Sequence, residues 1–196
     1  MDSYPAAEAV TFRFTREAFG ELSNMCQGFP LQLDNFTIPS TEHLYQAYRF
    51  PEHPDFQTHV IEAPTPMESK RTAYRYIEST RPDWDSVKVE IMETCCLLKL
   101  MQHWDRMRDV LDSTCDYPIV EYSTRDTFWG ASPQDYNGQR FFQGRNQLGK
   151  IWMSLRDRFP DVPTQVELPD TMRVLAGVQL SPYIHARDTE ETYNLL

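Results

Sequence analysis

Four short stretches of this 196-residue chain carry side chains suited to bond chemistry on a sugar. In Glu42-His43-Leu44-Tyr45-Gln46-Ala47-Tyr48-Arg49, helical geometry puts Glu42, Tyr45, Gln46 and Arg49 on one side, at i, i+3, i+4 and i+7. Such a side is either a solvated face with local pairs or a sugar site in which a carboxylate works beside an aromatic ring. Trp84, Lys88, Cys95 and Lys99 share a second helical stripe. Its lysines either lay their stems on apolar surface and reach water, or contact phosphate, or act as amine nucleophiles on an opened sugar. In Ser123-Thr124-Arg125-Asp126-Thr127-Phe128-Trp129-Gly130 a strand end leads into an acid, two aromatics and a glycine, so Asp126 either caps a turn or lines a pocket. In Gly144-Arg145-Asn146-Gln147-Leu148-Gly149-Lys150, Asn146 opens a helix whose free N–H groups suit either plain capping or a phosphate.

Other chemistries find little support. The five histidines have no metal-ligand spacing, no Ser or Cys sits in a nucleophile elbow, and two of the four cysteines are adjacent. No metal and no organic cofactor is expected, and Cys26, Cys95, Cys96 and Cys115 read as free thiols of an intracellular protein, in cytoplasm or nucleus. The net charge of −10 argues against a broad basic surface for nucleic acid, so any polynucleotide contact must be local. Ten Tyr, eleven Phe and four Trp supply flat faces for a base or sugar.

The elements that must position these residues can be read from period and punctuation. Strands are predicted at Val10 to Phe14, Phe36 to Ile38 and Pro118 to Tyr122. Ser40 or Thr41 caps a helix running to about Arg49, and Pro51 and Pro54 separate it from a short helix over Asp55 to Ile61. Thr65-Pro66 starts a third helix reaching about Ile77. The longest apolar periodicity, from about Asp83 to His103, marks the central helix, followed by helices over Trp104 to Ser113 and Asn146 to Phe159. Ala131 to Gln143 reads as a long polar surface loop, and Val174 to Leu180 as a strand or docked turn. No stretch is apolar enough to span a membrane, and Met1 to Val10 does not read as a secretory signal.

Taken together, the pieces Gly20-Glu21-Leu22-Ser23-Asn24-Met25, Pro39 to Ala47, Thr65-Pro66-Met67 with Arg71, Asp83 to Lys88 with Met92 and Lys99, Asp126 to Gly130, and Gly144 to Gly149 resemble the NADAR, or YbiA-like, family. The resemblance covers about Phe12 to Phe159. It implies a mainly α fold with a few short β-strands in a single compact domain over residues 10–159, between an N-terminal tail (1–9) and a C-terminal extension of unknown role (160–196). It also implies N-glycosidase activity of two kinds. One removes ADP-ribose from guanine bases in nucleic acid, and the other cleaves phosphoribosylamino-pyrimidine intermediates of riboflavin synthesis. Family catalytic positions fall on Glu42, Trp84 and Asp126. The chain departs from the family in the longer 131–143 insert and in Ala73-Tyr74, which replaces a Gly-Arg pair.

The expectation is therefore that Glu42 and Asp126 do the chemistry, with Lys88 or Lys99 as the alternative nucleophile. Trp84 and Trp129 wall the site, and Asn24, Gln46 and Arg49 hold ribose and phosphates, with Ser23, Tyr45, Arg71, Lys88, Gly130 and Asn146 completing the contacts. The expected partner is an ADP-ribose-containing substrate on a guanine of DNA or RNA. A non-catalytic ADP-ribose or NAD binding module is the reading from another class.

Overall fold

The computed structural model describes residues 1–186. In chain order its strands and helices are β1 (Asp2–Pro5), β2 (Val10–Phe12), β3 (Leu31–Leu33), β4 (Phe36–Ile38), α1 (Thr41–Ala47), α2 (Pro54–Ile61), α3 (Pro66–Arg75), α4 (Trp84–Gln102), α5 (Trp104–Asp112), β5 (Ile119–Glu121), β6 (Ala131–Tyr136), β7 (Gln139–Gly144), α6 (Gln147–Arg158), β8 (Gln165–Glu167), β9 (Val174–Leu175), β10 (Val178–Gln179) and β11 (Tyr183–His185). Helices dominate, as expected, although the strands are more numerous than the few the sequence suggests.

Local chemistry sets the helix starts. Ser40 caps α1 by accepting the His43 N–H at 3.4 Å, and Thr65 caps α3 by accepting the Glu68 N–H at 3.2 Å with Pro66 in the first helical position. Caps of this kind contribute about 1 kcal/mol each. Pro54 opens α2 in the same way, where a missing N–H costs nothing.

Helix α4 is the axis of the core. Its second half is buried on nearly every side, through Ile91, Met92, Cys95, Cys96, Leu98, Leu100 and Met101, and it packs against α1, α5, α6, β3 and β8. All-round burial is the signature of a helix enclosed by others, and each fully buried large apolar side chain contributes about 1.5–3 kcal/mol. No helix among the described residues is long and apolar enough to cross a membrane.

Two segments differ from expectation. Residues 131–144 form a regular hairpin, β6 with β7, in place of a loop; Asn137 and Gly138, both at positive φ, make the two-residue turn that right-handed strand twist favours. Residues 1–9 are more than a tail, because β1 pairs antiparallel with β7 and completes a three-stranded sheet. The extension beyond residue 160 folds back on the body as the β8–β11 and β9–β10 pairs. Its Val166, Leu168, Met172, Leu175, Leu180 and Ile184 enter the main core, and the Tyr48 hydroxyl donates to the Met172 carbonyl at 2.9 Å. Val174 to Leu180, expected as a strand or docked turn, forms the docked β9–β10 hairpin.

One strand pairing positions a wall of the central cleft. β2 and β5 run parallel, Val10 opposite Ile119 and Phe12 opposite Glu121, which anchors the end of β5 beside the first turn of α1 and the loop at Ser23.

Candidate active site

Every residue of α1 is buried, so the helix face carrying Glu42, Tyr45 and Gln46 is no solvated surface. Beneath it, His43 is locked in one neutral tautomer. Its Nε2 lies 2.9 Å from the Ala63 carbonyl and must donate, which leaves Nδ1 to accept the Ser40 hydroxyl at 2.7 Å. Burial lowers the His43 pKa in agreement with that neutral form. Helix α1 is thereby pinned, with its Glu42 side facing a cleft of about 120 Å³.

The cleft is lined by Ser23, Asn24, Met25, Glu42, Tyr45, Gln46, Arg49, Lys70, Tyr74, Met92, Glu121, Asp126, Trp129 and Leu148. Glu42 is 4% exposed, and burial raises its pKa; Lys70, a hydrogen bond from Gln46 and Arg49 pull the other way. The Gln46 amide donates to Glu42 Oε1 at 2.8 Å and accepts from Arg49 Nε at 2.7 Å, so the i, i+4, i+7 spacing has become a relay of carboxylate, amide and guanidinium. The Arg49 guanidinium lies 4.4 Å from the Trp84 ring, and Trp84 in turn packs on Tyr45 at 5.1 Å. Tyr45 meets Trp129 edge-on at 5.6 Å.

The opposite wall comes from β5 and the loop after it. Asn146 is fully buried at positive φ, accepts the Glu121 N–H at 3.0 Å on Oδ1 and donates to the Ile119 carbonyl at 2.8 Å. The loop itself is tied to the start of α6 by Arg145 to Thr127, Gln147 to Phe128 and Leu148 to Trp129 backbone bonds. Asp126 Oδ1 accepts the N–H groups of Phe128 and Trp129, both at 2.9 Å, the turn-capping role open in the sequence, while the residue also lines the cleft. Burial pushes Glu121 up to about 7, helped by the neighbouring charges of Asp126 and Glu42.

The third wall is the Ser23–Met25 segment. Lys99 is buried, donates to the Glu21 and Ser23 carbonyls and lies 4.4 Å from the Phe29 ring, while Trp152 Nε1 donates to the Leu22 carbonyl at 2.8 Å. Burial depresses Lys99 to about 8. These bonds present Ser23 and Asn24 to the cleft, and the Glu42 N–H bonds the Asn24 carbonyl at 3.3 Å.

Polar atoms without partners gather here. Asn24 Oδ1, Tyr45 Oη and Glu121 Oε2, all on cleft-lining residues, and Thr41 Oγ1 next to Glu42 have no hydrogen-bond partner among the described residues. A buried orphan costs about 1–3 kcal/mol, and three of the six such atoms lie on cleft-lining residues, where they are free to meet a ligand's polar groups.

Of the residues singled out from sequence, Glu42, Asp126, Ser23, Asn24, Tyr45, Gln46, Arg49 and Trp129 converge on this cleft. Trp84 sits one layer back, under Arg49 and Tyr45. Gly130 and Asn146 act on the backbone: a Cβ at Gly130 would collide with the Glu121 carbonyl oxygen, and Asn146 clamps β5. Lys88 pairs with Asp85 at 2.5 Å and stands 4.3 Å from the Phe128 ring, off the cleft lining. Arg71 points to solvent from α3, and its neighbour Lys70 lines the cleft instead, since one residue turns a helix by about 100°. Lys99 is buried behind the Ser23 backbone, outside the cleft lining. Sequence reasoning missed Glu121 and Lys70 and gave Tyr74 and Met92 no role in the site; Glu121 carried a signal, as the one acid closing an apolar strand directly before the loop at Asp126.

Residues 11–160 match the NADAR domain family model. The chain belongs to the NADAR domain family. Among its NADAR relatives, the N-glycosidase YbiA of Shigella boydii is 29% identical over 149 residues, 76% of this chain and 87% of the relative. The maize chloroplastic riboflavin biosynthesis protein PYRR is 30% identical over 174 residues, 81% of this chain but 26% of that longer protein. In solved structures, the NMR structure of Escherichia coli YbiA superposes with a TM-score of 0.63 at 28% identity, covering 76% of this chain and 83% of that one. The NADAR match ends at residue 160, so the β8–β11 wrap lies outside it.

Proposed function

We propose that this NADAR protein hydrolyses the N-glycosidic bond between ADP-ribose and a guanine base in nucleic acid. Family membership and relatives named N-glycosidases make it a hydrolase of N-glycosyl bonds; the substrate and the residue roles are our reading. The observation that carries it is the clustering of a buried carboxylate, two cations and three orphaned polar atoms in the cleft that Tyr45 and Trp129 help to line.

In this reading Glu42 is the base. Gln46, Arg49 and Lys70 favour its ionised form against burial, and it takes a proton from the attacking water as the new C–O bond forms at the anomeric carbon. Glu121 is the acid, about half protonated at neutrality, and it delivers its proton to the departing base nitrogen as the C–N bond breaks. Burial, with the negative charge of Asp126, keeps the proton on Glu121, and that charge also offsets the oxocarbenium character of the transition state. If a lysine adduct forms at all, the geometry favours Lys70 over Lys88 or Lys99.

A guanine carried on nucleic acid is favoured because the cleft borders, at Ser23 and Met25, a wider groove that a small phosphoribosyl metabolite would leave empty. The second reading, cleavage of phosphoribosylamino-pyrimidines, draws on the maize relative named for riboflavin biosynthesis. Offering the protein an ADP-ribosylated guanine oligonucleotide and a phosphoribosylamino-pyrimidine side by side separates the two. Release of ADP-ribose is the expected result, and release of ribose 5-phosphate alone overturns it. Three buried free thiols accord with an intracellular setting.

A further inference from the structure

The groove that adjoins the cleft has a chemistry of its own. It measures about 620 Å³ and is lined by Arg13, Phe14, Thr15, Arg16, Ser23, Met25, Thr65, Pro66 and Met67. Ser23 and Met25 line the cleft as well, so the groove borders it directly. The groove's lining holds two cations and no anion in a protein whose net charge is −10. Two other surface clefts differ in this respect, one carrying Asp34 and the other Glu90, Glu93, Glu167 and Asp170.

Phe14 and Met67 are 53% and 49% exposed, large apolar groups kept in water on the groove rim. The Arg13 guanidinium lies 4.6 Å from the Phe14 ring and 4.7 Å from the Tyr122 ring. Contacts through the ring faces leave the in-plane N–H fork of a guanidinium able to bind phosphate oxygens, and they reduce the ordering entropy such binding costs. Among the described residues, neither Arg13 nor Arg16 forms an ion pair.

We infer that this groove holds the nucleic-acid strand flanking the modified guanine, with Arg13 and Arg16 on backbone phosphates and Phe14 stacked on an adjacent base. The inference rests on the proposed substrate and adds how that substrate is gripped. Aromatic stacking with a few phosphate contacts is how single strands are held without sequence preference, and two arginines meet the requirement that contact be local. The turn that follows β2 thus acquires a binding task beside that strand's pairing with β5.

The test compares two substrates, ADP-ribosylated guanosine alone and the same modification inside a single-stranded oligonucleotide. Wild type should show a KM at least tenfold lower for the oligonucleotide, with an advantage that shrinks as salt is added. The double variant Arg13→Gln/Arg16→Gln, and separately Phe14→Ala, should lose most of that advantage while turning over the nucleoside as wild type does, which also shows that they fold. Equal KM values for both substrates in wild type, or variants that keep the oligonucleotide advantage, overturn the groove assignment and leave the proposed reaction standing. Failure of wild type to release ADP-ribose from either substrate overturns the proposed reaction and the groove assignment with it.

Discussion

Asn146 holds Glu121 by its backbone, accepting the Glu121 N–H on Oδ1 at 3.0 Å while its Nδ2 donates to the Ile119 carbonyl at 2.8 Å. A side chain at the start of α6 therefore completes the hydrogen bonding of β5 where the strand reaches the cleft. Gly130 keeps the same spot open from the other direction, because any Cβ there meets the Glu121 carbonyl oxygen.

Removing the clamp should be costly in two ways. Asn146→Ala leaves a backbone donor and acceptor unpaired, about 1–3 kcal/mol each, and puts alanine at a positive φ that asparagine adopts more readily. We expect a thermal midpoint several degrees lower and a fall in kcat larger than any change in KM, read by calorimetry and steady-state kinetics. A variant with wild-type kcat would show that Glu121 does not need this support.

Gly130→Ala tests the packing side of the same relationship. The added methyl meets backbone, which cannot swing away, and overpacking of this kind costs about 1–3 kcal/mol. Reduced stability with reduced kcat is expected; unchanged values for both would mean that the loop shifts freely.

Glu42→Gln keeps the shape of the side chain and removes its proton chemistry. Turnover should fall about 10²- to 10⁴-fold, with substrate affinity within a few-fold of wild type by calorimetric titration. Wild-type turnover in this variant would sink the assignment of Glu42 as base. A wild-type protein that binds ADP-ribosylated guanosine and never cleaves it would instead support a pure binding module.

The protonation of Glu121 gives a pH signature. With its pKa raised to about 7, kcat/KM should decline as pH rises past neutrality, and Glu121→Gln should lower the rate while flattening that alkaline limb. Stability should move in the same direction. A carboxyl raised on folding contributes stability that is complete below the ordinary glutamate value of about 4.3 and is lost as pH climbs through the folded value. Chemical denaturation at pH 5 and pH 8 should therefore show Glu121→Gln gaining on wild type at pH 8, on the order of 2 kcal/mol. An equal effect at both pH values would mean that Glu121 titrates normally.

Much of the scaffold is legible in the sequence because its signals are local. Ser40, Thr65 and the prolines at 54 and 66 announce helix starts through their own backbone chemistry, and the apolar run of α4 announces a helix enclosed by others. Glu42 and Asp126 are marked by their neighbours in sequence. The 131–144 hairpin is masked because Pro133 and the polar residues look like a loop, although Asn137-Gly138 is a strong two-residue turn signal. Proline is tolerated there because β6 is an edge strand. Lys99 and Asn146 are the right residue types with other jobs: sequence shows that a lysine or asparagine is unusual, and only tertiary distance shows whether it faces a ligand or a carbonyl. Glu121 depends on which side of a three-residue strand faces the cleft, which no periodicity can decide, and Lys70 on which flank of the ten-residue α3 does so.

The wrap of residues 160–186 bears on how the protein can be shortened. Cutting at the family boundary would strip Val166, Leu168, Met172, Leu175, Leu180 and Ile184 from the body and uncover the apolar seats they occupy along α4 and beside Tyr48. Such a trimmed version would carry a greasy belt prone to self-association, so recombinant work on the catalytic half should retain the entire carboxyl-terminal stretch.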